Sequence, residues 1–200
     1  MVIVDRLSVY IEAIPCLKRE LTAQDVAQLF LDKCVCFMGV PLEILSDNDN
    51  LMTSEFLSEL CSNLGIFQHK AILYRPKGNG RAERAVRSVV DILRLCLEEN
   101  YGEKCWIKYL PWCTFLINSL PGVITHYSPH KIVFGRDLLL PGELPPVKKF
   151  REETTVDFHS ALGELREKVQ KRLLHIHDRE RRKYLEKHST VIYKPGIKSG

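Results

Sequence analysis

The sequence predicts an α/β fold in which a small β-sheet is covered by helices. Apolar segments with strand character alternate with apolar segments at helical spacing along residues 1–118, and turn-forming residues separate them. The chain has 200 residues, of which 45% are hydrophobic and 27% charged, enough for one sizeable core and an appendage. We therefore expect the order strand, strand, helix, strand, helix, strand, helix, helix, with parallel pairing after a first hairpin.

The first elements are a hairpin and a helix. Residues 1–17 predict two β-strands joined by a polar corner at 5–8. Thr22, with Asp25 three residues later, is typical of a helix N-cap, and apolar residues at helical spacing follow as far as Gly39. We expect the helix to end there, because glycine is common just beyond a helix C-terminus.

A second strand-helix-strand unit follows. Residues 42–45 predict a short β-strand that leads into Asp47. The next helix has one apolar face and Gly65 as its C-terminal cap. Residues 66–73 then predict another strand, and residues 74–79 a polar loop.

The longest clear helix begins after this loop. Its predicted apolar face consists of Val86, Val90, Leu93 and Leu97. The opposite face carries Arg84, Arg87, Asp91 and Arg94. Another helix is predicted at 105–118, and Pro121 and Gly122 break it.

The C-terminal third predicts a linker and a long helix. Residues 138–146 are rich in proline, glycine and leucine, so we divide the chain into a core at 1–137, a linker at 138–157 and a helical extension at 158–200. The apolar positions of the extension are Phe158, Leu162, Leu165, Val169, Leu173 and Ile176. Beyond them the helix is almost wholly polar, which fits a connector or coiled-coil helix as well as a DNA contact.

Composition limits the class of protein. The formal net charge of +4 permits a polyanionic partner but does not require one. No apolar run approaches the roughly eighteen residues of a membrane span. The seven cysteines include no pair with CxxC spacing, which favours reduced core thiols. We expect a soluble, intracellular protein with neither a membrane partner nor a small-molecule substrate.

Two carboxylates stand where chemistry is common in α/β folds. Asp47 ends a predicted strand and Glu83 begins a predicted helix, and such positions can converge at the edge of a sheet. Their oxygens are the hard ligands that Mg²⁺ prefers. Spacing alone favours a loop or cap role for Asp47 and a first-turn helix role for Glu83.

Several motifs in fixed order extend this pattern. Ile-Leu-Ser-Asp at 44–47, Thr-Ser-Glu-Phe at 53–56 and the block at 74–84 resemble the second and third blocks of the integrase core of Ty3/Gypsy-type retrotransposons and retroviruses. Further blocks of the same family are matched at 4–8, 39–41, 118–119 and 128–136. The resemblance, which covers residues 2–137, implies a ribonuclease H-like fold. It implies that Asp47 and Glu83 are the second and third members of an Asp, Asp, Glu triad that holds Mg²⁺ or Mn²⁺.

The resemblance also indicates what the chain lacks. In the family, the first catalytic aspartate lies on a strand upstream of the block at 4–8, so we expect Asp5 to be a structural residue at the hairpin corner. The missing strand would lie between the strand of Ile3 and the strand that ends at Asp47. We therefore expect an integrase core truncated at both ends, without its first β-strand, whose helical extension leads toward a missing C-terminal β-barrel.

Basic residues surround Glu83. Those that we expect to contact DNA are Arg75, Lys77, Arg81, Arg84 and Arg87. The alternative is a solvated helix face on which Arg87 pairs with Asp91. The resemblance implies that the partners are element ends and target DNA, that the protein is a homo-oligomer and that it acts in the nucleus.

Two functions follow as hypotheses. The first is DNA integration by metal-dependent phosphodiester strand transfer, impaired because the first aspartate is missing; whether the chain is an active enzyme stays open. The second is a non-catalytic, nucleic-acid-binding or oligomerising remnant of a retrotransposon integrase.

Overall fold

The computed structural model describes residues 1–17, 20–47, 49–70, 80–99, 106–143 and 155–187. Its β-strands are β1 (Val2–Val4), β2 (Ile11–Ala13), β3 (Glu43–Ser46) and β4 (Phe67–Lys70). Its helices are α1 (Ala23–Phe30), α2 (Cys36–Met38), α3 (Glu55–Asn63), α4 (Gly80–Glu99), α5 (Trp106–Ser119), α6 (Pro129–Phe134) and α7 (Thr155–Lys187). A π-helical turn at Leu31–Val35 joins α1 to α2. The predicted order of elements is confirmed, and α6 is an additional short helix.

The strands form two separate pairs. β1 and β2 are antiparallel, with Val2 opposite Ala13. β3 and β4 are parallel, with Ser46 opposite Lys70. Among the residues that the structure describes, no strand joins β1 to β3. The predicted hairpin and the predicted parallel pairing are thus both present.

Helices cover the strands on two sides. One apolar cluster, here the α1–α3 cluster, comprises Ala27, Phe30, Cys34, Leu57, Cys61 and Ile66. The other, the α4–α5 cluster, comprises Ile11, Ala85, Val89 and Leu110. Ile3 of β1 packs against the first cluster, whereas Val2 and Val4 pack against the second. β1 therefore lies between two helical layers, as the predicted α/β class requires.

Local capping signals were predicted correctly. The Thr22 hydroxyl accepts a hydrogen bond from the Asp25 amide at 3.2 Å, and the Asp25 carboxylate accepts one from the Thr22 amide at 2.9 Å. Gly39 and Gly65 have φ angles of 90° and 70°, which an L side chain rarely adopts. Glycine at these positions lets the chain leave α2 and α3 with a positive φ.

The predicted apolar face of α4 was wrong at two positions. Val86 and Val90 are 43% and 37% exposed, whereas Ala85 and Val89 are buried. Apolar residues form two adjacent stripes on this helix, and periodicity alone does not choose between them. The stripe that begins at the small Ala85 faces β2 and α5, where a short side chain permits close packing.

The first half of α7 is docked onto α6, and its second half is exposed. The Arg166 guanidinium donates to the carbonyl oxygens of Ile132 and Val133 at 3.1 and 2.7 Å, and Val169 is buried. Described side chains from residue 177 onward are all exposed, which confirms the predicted change of character along the helix. The linker limits predicted at 138–157 stay a prediction, because 144–154 lie outside the described residues. None of the described helices has the length and apolar character that a bilayer crossing requires.

Candidate active site and nucleic-acid interface

Asp47 lies at the carboxyl end of β3. Its side chain is exposed, whereas the preceding Ser46 is 4% exposed and its hydroxyl has no hydrogen-bond partner within the described part of the chain. The strand alternates its side chains between two faces, so Ser46 is directed inward and Asp47 outward. The position of Asp47 is thus the one in which a strand of an open α/β sheet presents a ligand to solvent.

The loop after Asp47 is held by Asp49. The Asp49 carboxylate accepts from the Leu51 amide at 3.2 Å, and its carbonyl oxygen accepts from the amides of Met52 and Thr53 at 3.0 Å. The Gln68 side chain donates to the Met52 carbonyl at 2.9 Å and ties the loop to β4. Asp49 thus forms this turn with its own side chain.

Glu83 lies in the first turn of α4, where a carboxylate is stabilised by the helix dipole. Its side chain is exposed. Arg81, in the same turn, donates a hydrogen bond from Nη1 to the carbonyl oxygen of Arg6 at the hairpin corner. This bond fixes the start of α4, and with it Glu83, against the β1–β2 corner.

Three arginines meet at this corner. Burial lowers the pKa of Arg81, and the charges of Arg6 and Arg84 lower it further, while Asp5 opposes them. We call Arg6, Arg81 and Arg84 the corner cluster. Sequence reasoning missed Arg6, because 75 residues separate it from Arg81 and only the fold brings them together.

Asp5 has the structural role that the sequence predicts. Its carboxylate accepts hydrogen bonds from the amide and the hydroxyl of Ser8, at 2.7 and 2.6 Å. The Ser8 hydroxyl in turn accepts from the Tyr10 amide at 3.0 Å. Asp5 therefore closes the corner between β1 and β2.

The remaining predicted basic residues differ in their surroundings. Arg84 and Arg87 are exposed and form no ion pair within the described residues. Asp91 pairs with Arg94, at 3.6 Å, and not with Arg87 as the solvated-face alternative supposes. Arg75 and Lys77 lie outside the described residues.

The structure brings Glu83 and the corner cluster together but shows no direct contact between Asp47 and Glu83. The described residues contain no group of three or more histidine, cysteine, aspartate or glutamate side chains placed to hold one metal ion. Both carboxylates are nevertheless exposed oxygen donors. This donor chemistry fits Mg²⁺, which commonly takes one or two protein carboxylates and completes its shell with water and phosphate oxygens.

Curated relatives are transposon polyproteins. The chain is 28% identical over 155 residues to the Tf2-3 polyprotein of Schizosaccharomyces pombe, a match that covers 77% of this chain and 11% of that protein. The Tf2-4 polyprotein matches to the same extent. The chain thus spans about a tenth of the length of these relatives. No protein-family model matches the sequence.

Solved structures of retroviral integrases share the fold. The catalytic core domain of BIV integrase superposes with a TM-score of 0.53 at 29% identity, covering 67% of this chain and 84% of that chain. The simian T-cell lymphotropic virus intasome, solved in complex with the PP2A regulatory subunit B56 gamma, gives 0.56 at 23% identity, covering 75% and 53%. The HTLV-2 integrase catalytic core domain, solved in complex with magnesium, gives 0.52 at 21% identity, covering 65% and 80%.

These likenesses confirm the predicted ribonuclease H-like fold class. The chain is thus similar in sequence to the Tf2 transposon polyproteins and shares the fold of retroviral integrase catalytic cores.

Proposed function

We propose that the chain acts in DNA integration by metal-dependent phosphodiester strand transfer, on element ends and target DNA in the nucleus. The proposal rests on one observation: Glu83 lies beside the corner cluster at the start of α4. A carboxylate for a metal ion and positive charges for phosphate thus lie side by side. They do so on a fold shared with integrase cores.

Asp47 and Glu83 are the residues that would hold Mg²⁺ or Mn²⁺. Their exposure and oxygen chemistry support this assignment, and a structural neighbour was solved with magnesium. When bound, such ions activate an attacking oxygen and stabilise the leaving oxygen of a phosphodiester. The residues of the chain itself supply the charge that holds the ion and the surface that orients the DNA.

The basic residues near Glu83 differ in how exposed their side chains are. Arg84 and Arg87 are exposed and unpaired within the described residues, so they are free to contact phosphate oxygens. Arg81 is half-buried and bonded to the hairpin corner, which makes it a positioning residue for Glu83 and Arg6. Arg75 and Lys77, which lie outside the described residues, are the further predicted phosphate contacts. Such contacts predict binding that depends on salt and tolerates many DNA sequences.

A second candidate function is a non-catalytic, nucleic-acid-binding or oligomerising remnant. The observation that favours it is the engagement of Asp5, whose carboxylate is occupied by Ser8 and so cannot readily serve as a third metal ligand. With two carboxylates in place of three, we expect catalysis to be weak. The basic surface would persist in either case.

The test is a Mg²⁺-dependent strand-transfer assay with a labelled element-end duplex and the 200-residue chain. We expect a low yield of joined product that is lost in Asp47→Asn and in Glu83→Gln. Glu59→Gln changes an exposed carboxylate on α3 and is expected to retain the yield. Joined product that persists in Glu83→Gln would contradict the metal assignment.

The same samples separate the two candidates. A folded chain that binds DNA in a salt-sensitive manner but forms no product at any Mg²⁺ concentration would assign the second function. A chain that does neither would contradict both.

A further inference from the structure

Gln68 is a polar residue on the inward face of β4. Ile66, two residues earlier, belongs to the α1–α3 cluster, whereas Phe67 is 70% exposed and His69 is exposed as well. Side chains alternate between the two faces of a strand, so Gln68 is directed toward the same helical layer as Ile66. A half-buried carboxamide at such a position needs a hydrogen-bond partner.

The partner of this carboxamide lies in the loop that follows Asp47. Gln68 donates a hydrogen bond of 2.9 Å from Nε2 to the Met52 carbonyl oxygen, across 16 residues of sequence. In the sheet, Gln68 lies opposite Ile44 of β3. The bond therefore connects the loop to the same pair of strands from which Asp47 emerges.

Residues 49–54, here the 49–54 loop, are held together by their own hydrogen bonds. The Asp49 carbonyl oxygen accepts from the amides of Met52 and Thr53 at 3.0 Å and from the Thr53 hydroxyl at 3.2 Å. At the end of the loop, the Ser54 hydroxyl accepts from the Leu57 amide at 3.4 Å and caps α3. Because these bonds link the loop into one turn, a restraint at Met52 acts on the entire loop.

Asp47 lies between two points that are held in place. On one side Ser46 is paired with Lys70 of β4. On the other side Asp49 begins the 49–54 loop, which Gln68 ties to β4. A carboxylate that must first be ordered binds a metal ion less tightly than one that is held ready.

We propose that Gln68 is a positioning residue for the metal site. Its bond to Met52 holds the 49–54 loop, and with it the Asp47 carboxylate, where the carboxylate can bind Mg²⁺ or Mn²⁺. This inference rests on the proposed function, because it takes Asp47 to be a metal ligand. A purely structural role for Gln68 would instead lower the free energy of unfolding and leave the metal affinity of the folded chain unchanged.

The test compares the Mn²⁺ affinity of the 200-residue chain with that of its Gln68→Met variant. Methionine is unbranched and suits an inward face, but it has no N–H donor. Mn²⁺ broadens the NMR signals of nearby amides, so broadening at the Asp47 amide gives the Kd. We expect the Kd to rise by about tenfold, as is usual when a group that orients a metal ligand is removed.

Gln28→Met is the matched control. Gln28 donates from Nε2 to the Asp32 carboxylate at 2.8 Å on the exposed side of α1. This variant also loses one glutamine hydrogen bond, but the bond does not involve the 49–54 loop. We therefore expect its Kd for Mn²⁺ to equal that of the parent chain.

A second measurement needs no variant. Coupling between two sites is reciprocal, so saturating Mg²⁺ should slow amide exchange at Met52 and Thr53 in the parent chain if the loop and the metal site are coupled. The Asp5 amide, bonded to Tyr10 at 2.9 Å, should exchange slowly with or without Mg²⁺ and shows that the hairpin is folded. This measurement decides if the Gln68→Met chain does not fold.

Two results would overturn the proposal while leaving the metal site intact. One is an unchanged Kd in a folded Gln68→Met chain. The other is unchanged exchange at Met52 and Thr53 at saturating Mg²⁺. A parent chain whose Asp47 amide is not broadened by Mn²⁺ would instead contradict the proposed function, and this inference with it.

Discussion

Asn118 joins α5 to the sheet through one side chain. Its carboxamide oxygen accepts from the Ile11 amide at 2.9 Å, and its nitrogen donates to the Ile11 carbonyl at 2.8 Å. Ile11 lies opposite Val4 in a non-bonded pair, so both of its backbone groups are directed away from β1. Asn118 thus takes the place of a neighbouring strand on the outer edge of β2.

The substitution Asn118→Ala is expected to lower the free energy of unfolding by about 2–4 kcal/mol, because it leaves two buried backbone groups unsatisfied. Urea denaturation measures this change. Ser119→Ala is the matched control: the Ser119 hydroxyl is bonded only within α5, to Leu116, and its loss is expected to cost less than about 0.5 kcal/mol. Similar losses in the two variants would contradict this role for Asn118.

The buried Cys113 thiol makes the free energy of unfolding depend on pH in the alkaline range. Burial, reinforced by the nearby Cys96, raises the pKa of the Cys113 thiol from 9.0 to about 11. The unfolded chain therefore loses this proton at lower pH than the folded chain does, and stability falls as pH rises from about 9 to 11. We expect the pH slope in urea denaturation to be shallower in Cys113→Ala. Cys36→Ala, at an exposed thiol, should retain the slope of the parent chain.

Gly135 ends α6 at its contact with α7. Its φ is +77°, and a Cβ at this position would lie 2.7 Å from the Phe158 ring. We expect Gly135→Ala to destabilise the fold by about 1–3 kcal/mol, because it adds both backbone strain and a clash. Limited proteolysis should show earlier cleavage within α7.

Gly163→Ala is the control for this substitution. Gly163 lies inside α7 with open space around its Cα, so alanine there should stabilise the helix by up to about 1 kcal/mol. If the protease cleaves the Gly135→Ala variant no faster than the parent chain, the docking of α7 does not depend on this glycine.

Helices and strands that begin or end with a local sequence motif could be predicted from the sequence. The contacts between these helices and strands could not. Thr22 and Asp25 define a helix start because the capping bonds join residues three apart. The buried face of α4 depends on β2 and α5, which periodicity does not include, and Val86 and Val90 were assigned to it wrongly. The π-helical turn at Leu31–Val35 has no sequence signal that we recognise.

At the scale of the whole molecule, the candidate site joins distant parts of the chain. The motif resemblance alone predicts Asp47 and Glu83 as site residues, since spacing by itself favours cap and helix roles. The hydrogen bond from Arg81 to the Arg6 carbonyl was not predictable, because it requires the hairpin corner to meet the start of α4. Within the described residues, β1 and β3 belong to separate strand pairs.

The most direct test of the proposed site is whether Asp47 and Glu83 bind one ion together. We would titrate the chain with Mn²⁺, whose paramagnetism broadens nearby NMR signals, and follow the amides of both residues. We predict that both broaden with one affinity, that Mg²⁺ reverses the effect, and that Glu83→Gln removes the broadening at Asp47 while Glu59→Gln does not. Broadening at Asp47 that survives Glu83→Gln would contradict a shared metal site.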